Sequence, residues 1–102
     1  MQVTSYLPAD LAKEGNITIN AIVPGLIGTE WRKTWAADCV KREGKTRQQW
    51  LHDFCLSKGI LAGRCGWVEE VGDLAAFIAS DRGRHLHGAK IALDGGLTVN
   101  AR

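Results

Sequence analysis

The sequence predicts an α/β fold built on one strand–helix–strand crossover. Three observations carry this. Ile17 to Val23 alternates as a strand does, with Ile17, Ile19, Ala21 and Val23 set against Thr18, Asn20 and Ile22. Val68 to Ala79 repeats apolar residues at helical spacing. Ala89 to Leu93 is a second short strand that ends at Asp94-Gly95-Gly96. A connection this long between two strands is a crossover, nearly always right-handed, and it makes the strands parallel.

The elements follow in order. From about Val3 to Glu14 the pattern is helical, with Val3, Leu7 and Leu11 on one face and Gly15-Asn16 as the stop. Pro8 fits only the first turn of a helix, so Ala9 to Glu14 is the firm part. In the strand from Ile17 to Val23 both faces are largely apolar, as in an interior strand of a covered parallel sheet. Pro24-Gly25 stops it. Ligands of open α/β sheets bind just beyond the carboxyl ends of strands, and the turn Pro24-Gly-Leu-Ile-Gly-Thr29 occupies such a place.

Residues 30–66 form a polar insert without strand alternation. Trp31, Trp35 and Cys39 are spaced i, i+4, i+8, and Trp50, Leu51, Phe54 and Cys55 repeat the helical spacing. Two amphipathic helices are expected, roughly 30–42 and 46–58, separated by Gly44. Lys58 to Gly66 reads as a loop. In the helix from Val68 to Ala79, Glu69, Glu70 and Asp73 suit the positive end of the dipole, and Ser80-Asp81-Arg82-Gly83 closes it. A single crossover has two strands and two exposed edges, so the pattern is that of the end of a larger α/β protein.

Composition sets limits. The 102 residues bound the chain to one domain, and 45% hydrophobic with 24% charged residues is a globular make-up. A net charge of +2 is too small to imply a nucleic-acid partner. No apolar run is long enough to span a bilayer, and Met1-Gln-Val-Thr-Ser-Tyr-Leu-Pro8 lacks a basic segment followed by an apolar one, so cytoplasmic residence is expected. Cys39, Cys55 and Cys65 cannot all pair with one another, and thiols are the expected state. His52 with Cys55, Cys39 and Cys65 could be drawn as a zinc set, but the spacing contains no tight C-x-x-C pair, so free thiols and no metal are expected. His85 and His87 read as surface residues. The basic residues between Arg32 and Arg47 suit a solvated helix face or an acidic substrate.

Four blocks, in order, resemble the short-chain dehydrogenase/reductase family, C-terminal portion. The similarity is nearest to members of the 3-oxoacyl-(acyl-carrier-protein) reductase type. Asn16 to Thr29 resembles that family's I-x-V-N-x-I-x-P-G-x-x-x-T. Gly63-Arg-Cys-Gly-Trp-Val-Glu-Glu-Val71 resembles G-R-x-G-x-P-E-E-V, with Val68 in place of Pro. Ala76-Phe-Ile-Ala-Ser-Asp81 resembles F-L-A-S-D, and Gly88-Ala-Lys-Ile-Ala-Leu-Asp-Gly-Gly96 resembles G-x-x-I-x-V-D-G-G. His85-Leu86-His87 replaces the usual small or hydroxyl residues before Gly88.

The resemblance implies the C-terminal part of a Rossmann-like, doubly wound parallel sheet: one βαβ unit with a helical lid insert. It implies NAD or NADP as cofactor and a small carbonyl or alcohol as substrate. It also implies association through the last helix and strand, as a homo-oligomer or with a related subunit. On that pattern Pro24, Gly25, Ile27 and Thr29 line the nicotinamide end of the cofactor. Residues 30–66 are the substrate lid, whose inner face would carry Trp31, Trp35 and Trp50 with Leu51. Packing of the two helices is the alternative role for these aromatics. Residues 1–29 and 67–102 supply the flanking strands and helices.

Other family features do not occur in these 102 residues. None of the twelve glycines is followed by another two positions on, so the Gly-rich phosphate loop is absent. The catalytic Tyr-x-x-x-Lys is absent as well. Tyr6 is the sole tyrosine, Asp10 stands where Lys is needed, and the pair is expected just before Met1. The expectation is a fragment of an oxidoreductase that is inactive alone and has no catalytic residue of its own. The alternative is a non-catalytic module that pairs with a related subunit or a separately encoded N-terminal half.

Overall fold

The computed structural model describes residues 12–100, leaving aside the side chains at 12, 31–33 and 100. The expected helix from Val3 lies largely outside the described residues. Its end is one 3-10 turn, Ala12–Glu14, followed by Gly15 and Asn16 at positive φ (69° and 47°). Two left-handed residues in succession turn the chain out of the helix, as the stop signal requires.

Strand β1 is Ala21–Pro24 and β2 is Lys90–Leu93. They pair in a two-stranded parallel sheet. The described residues form two compact units, 12–23 with Glu69–Ala92, and Pro24–Val68 with 93–100.

In the first unit the chain before β1 runs beside the segment leading into β2. Gly88 N–H donates to Ile19 O (2.7 Å) and Ala21 N–H to Ala89 O (2.8 Å). Between them, side chains replace the ladder. Asn20 Nδ2 donates to Leu86 O (3.1 Å) while its Oδ1 accepts from Ala89 N–H (3.0 Å). Ile19 N–H donates to His87 Nδ1 (3.3 Å). This is why the strand starts at Ala21 and not at Ile17. Asn20 acts as the tie that a part-buried amide must become. His87 is a correction, because it is half-buried and accepts a backbone hydrogen bond, whereas His85 is exposed.

The strand also runs one residue further than expected, through Pro24. The N–H groups of Ala21 and Gly25 both point at β2. With a period of two, the nitrogen of Pro24 points to the opposite edge, where β2 asks for no donor. Within these residues Ile17 is 50% and Val23 39% exposed.

Helix α3, Val68–Ala79, has the predicted bounds. Val71, Leu74 and Ile78 are half-buried along its apolar stripe. Ser80 caps the next turn, its Oγ accepting from Arg82 N–H, and Gly83 packs so closely that a Cβ there would lie 2.5 Å from Phe77 O.

The second unit holds the buried residues Ala36, Trp50, Cys55 and Ile60. Helices α1 (Glu30–Glu43) and α2 (Arg47–Ser57) pack on each other. Gly44 ends α1 at φ 67°, donating to Val40 O. Thr46 and Gln49 then open α2 with a reciprocal capping box, each side chain bonding the other's N–H at 3.2 Å. The tail adds an unexpected short helix, α4 (Leu97–Asn100). Asp94 sets it up by accepting from the N–H of Gly96 and Thr98, both at 3.0 Å.

Candidate functional site

The turn after β1 is held from two sides. Gly25 N–H donates to Leu93 O (3.0 Å), anchoring it to the end of β2. Leu26 O accepts from Gly66 N–H and Gly28 N–H donates to Gly66 O, both at 2.8 Å, forming a parallel bridge between Ile27 and Gly66. Thr29 N–H donates to Ile27 O (3.0 Å). The N–H of Ile27 enters none of these bonds.

Thr29 is the N-cap residue of α1, with extended backbone (φ −76°, ψ 168°), yet its side chain makes no cap hydrogen bond. A threonine in this position ordinarily accepts from an N–H of the first turn. Here the hydroxyl is exposed and keeps both donor and acceptor capacity. Pro24 is exposed, and Gly25 and Ile27 are half-buried. The four predicted residues thus lie together on one turn, with an uncommitted hydroxyl at its end.

In the expected lid, the aromatic residues join the two helices. Trp35 meets Trp50 and Phe54 edge-on, and Trp50 stacks on Phe54, each pair at 5.1 Å between centroids. Trp50 is 6% exposed. These contacts pack α1 against α2. The side chain of Trp31 lies outside the described residues.

Between the first turns of α2 and the loop 63–67 lies an open cleft of about 650 Å³. Arg47, Gln48, Leu51, His52, Arg64 and Trp67 line it, together with Gly28 and Cys65, and among the described residues no carboxylate does. His52 Nδ1 donates to Gly63 O (3.0 Å), which places a proton on that nitrogen. Gly63, at φ 66°, lets the loop approach, since a Cβ there would lie 2.7 Å from the imidazole. The Arg64 guanidinium lies 5.1 Å over the Trp67 ring. Sequence reasoning singled out neither His52 nor Trp67 for this cleft. Arg64 belonged to the G-R-x-G block, and Arg47 to the basic stretch.

On the outer side of α2, Lys45 Nζ and Asp53 Oδ2 pair at 2.9 Å. The hydrogen bond and the attraction between the charges hold Lys45 above and Asp53 below their ordinary values. Both groups are exposed, so the pair adds little to stability. Among the described residues no three His, Cys, Asp or Glu side chains converge on a metal position. No described helix is long and apolar enough to cross a membrane.

A family profile described as enoyl-(acyl carrier protein) reductase matches residues 1–98. The chain belongs to the short-chain dehydrogenase/reductase family. It is 37% identical over 82 residues to the 3-oxoacyl-(acyl-carrier-protein) reductase of Chlamydia trachomatis, covering 80% of this chain and 28% of that one. With the L-2,3-butanediol dehydrogenase of Corynebacterium glutamicum it shares 31% identity over 98 residues, covering 96% of this chain and 37% of the relative. The crystal structure of L-sorbose reductase from Gluconobacter frateurii, complexed with NADPH and L-sorbose, matches with a TM-score of 0.76 at 26% identity. That match covers 94% of this chain and 36% of the reductase. The chain therefore spans roughly a third of the length of these short-chain dehydrogenase/reductase relatives. Its two-stranded parallel sheet is part of a Rossmann-like fold.

Proposed function

We propose that this chain is the nicotinamide-side wall and substrate lid of an NAD(P)-dependent oxidoreductase that moves a hydride between the cofactor and a carbonyl or alcohol. The observation that carries the reading is that the Ile27 N–H and the Thr29 hydroxyl lie two residues apart on one turn. Neither enters the hydrogen bonds that fix the turn, and Thr29 makes no cap bond. A carboxamide has one carbonyl acceptor and one amino donor, so a backbone N–H and a hydroxyl on one turn match it.

The cofactor, when bound, supplies or accepts the hydride. This chain's residues then have three tasks. Ile27 and Thr29 orient the carboxamide. Pro24 and Gly25 place the turn at the end of β1. Helices α1 and α2, held together by Trp35 and Trp50, exclude water from the transfer. Proton transfer and pyrophosphate binding need Tyr-x-x-x-Lys and a Gly-rich loop, which these 102 residues do not contain. The 102-residue chain by itself is therefore inactive. Purified chain is to be mixed with NADH or NADPH and a panel of small ketones and aldehydes, with absorbance followed at the nicotinamide band. No turnover is expected, and turnover with any carbonyl would overturn the reading.

A second reading, association with a like subunit, is favoured by exposed apolar side chains on α3, where Val68 is 49% and Phe77 46% exposed. Light scattering after size exclusion separates the two readings. A strictly monomeric chain counts against association, and a stable dimer supports it.

A further inference from the structure

We propose that Cys55 and Cys65 form a reversible disulfide that staples the lid helix α2 to the loop supporting the candidate cofactor turn. Their sulfurs lie 3.7 Å apart. Cys55 sits on α2 and is fully buried, while Cys65 is half-buried and lines the cleft. None of the three cysteines forms a disulfide in this structure. A disulfide bond is about 2.05 Å long, so closure asks the two sulfurs to approach by about 1.7 Å. Rotation of Cys65 in the open cleft can supply that travel.

The different exposure of the two thiols assigns their order of reaction. Cys65 is the one that an oxidant in the cleft meets first. With a small disulfide such as oxidised glutathione, the Cys65 thiolate attacks one sulfur, forming a mixed disulfide and releasing one glutathione thiol. The Cys55 thiolate then attacks the Cys65 sulfur, forming the Cys55–Cys65 bond and releasing the second glutathione. The two protein thiols are oxidised, the glutathione disulfide is reduced to two thiols, and their two protons leave with them.

The consequence lies in what the bond joins. Gly66, next to Cys65, bridges Leu26 and Gly28. Ile60 N–H already donates to Cys55 O (2.9 Å), so the loop returns to α2 at that level in the reduced state. The disulfide fixes the segment 56–64 as a closed loop. It thereby links α2 covalently to the segment whose backbone hydrogen bonds hold the turn.

The test uses the full 102-residue chain treated with oxidised glutathione, in native buffer and in urea, then alkylated and digested with trypsin. Cys39, Cys55 and Cys65 fall in three separate tryptic peptides, because Lys41, Arg47, Lys58 and Arg64 lie between them. In native buffer the expected product is one linked pair, residues 48–58 with 65–82, and an intact mass about 2 Da lower that dithiothreitol restores. In urea all three pairings are expected. Cys39→Ser should leave the native product unchanged. Cys65→Ser should abolish it and leave Cys55 unmodified. The same mixture of pairings in native buffer as in urea overturns the proposal. So does a persistent glutathione adduct on Cys65 without the linked peptide.

Discussion

Gly25 and Asp94 approach so closely that a Cβ built on Gly25 would lie 2.7 Å from the Asp94 Cβ and 2.8 Å from its Cα. The contact follows from the parallel pairing. Gly25 N–H bonds to Leu93 O, which brings the first residue beyond β1 against the first residue beyond β2. The glycine is there because the neighbouring backbone comes too near for a side chain. Its own φ is not positive, so the requirement is space and not conformation.

Gly25→Ala should therefore destabilise the chain, by about 1–3 kcal/mol for an overpacked position. A urea titration followed by tryptophan fluorescence measures it. A midpoint within error of the wild type would show that the end of β2 yields freely. Gly72→Ala is the control, since a Cβ at that exposed helical position meets nothing within 4 Å. It should be neutral or slightly stabilising.

The amide of Asn20 gives a second expected outcome. It satisfies Leu86 O and Ala89 N–H at once, across 66 and 69 residues. Asn20→Ala leaves both groups without that partner and should cost about 1–3 kcal/mol. Amide exchange locates the effect, because Ala89 N–H should exchange faster while the α2 amides hardly change. Uniform acceleration throughout the chain would contradict this local account.

How much could be read from residues alone depends on whether the signal is local. The bounds of α3 were legible because an apolar stripe, acidic first turn and Ser80 stop all lie within its own sequence. The Pro24–Thr29 turn was legible through its Pro-Gly pair and the matching blocks. The start of β1 was not, since Ile17 to Asn20 alternates like a strand yet is held by the His87 and Asn20 side chains. The cleft was illegible because His52 and Trp67 meet only after the loop folds back on α2. Likewise, the Cys55–Cys65 approach depends on Gly59 and Gly63, both at positive φ, reversing the chain. The helix α4 was not legible, because it is one turn long and its start is set by a single residue, Asp94, accepting from the Gly96 and Thr98 N–H groups.

Trp50 and Trp67 look alike in sequence and should behave differently. Trp50 is buried between Trp35 and Phe54, and Trp67 is 62% exposed. Trp50→Ala should cost about 3–5 kcal/mol, close to the whole stability of a small chain. Trp67→Ala should stay within about 1 kcal/mol, the scale of an exposed cation–π contact with Arg64. Circular dichroism and urea midpoints decide it. Equal losses at the two positions would mean that the aromatic cluster is not what joins α1 to α2.

Asp94 makes stability depend on acid. Its carboxylate accepts from the Thr98 hydroxyl, from the Thr98 N–H and from the Gly96 N–H, and these bonds lower its pKa from the ordinary 3.8. Above the unfolded-state value both states are ionised and the stabilisation is fully present. As pH falls below it, the unfolded chain takes up the proton first and stability declines. The loss is complete once pH passes the lower folded-state value. Asp53, lowered by Lys45, adds a slope of the same sign. Asp94→Asn replaces an acceptor oxygen with an amide donor, so it should lower the urea midpoint near neutral pH and flatten its fall in acid. Asp53→Asn should flatten the fall with little loss at neutral pH, because its pair is exposed. Urea midpoints of the three proteins between about pH 2 and pH 7 test this. An acid slope in Asp94→Asn as steep as that of the wild type would refute the assignment.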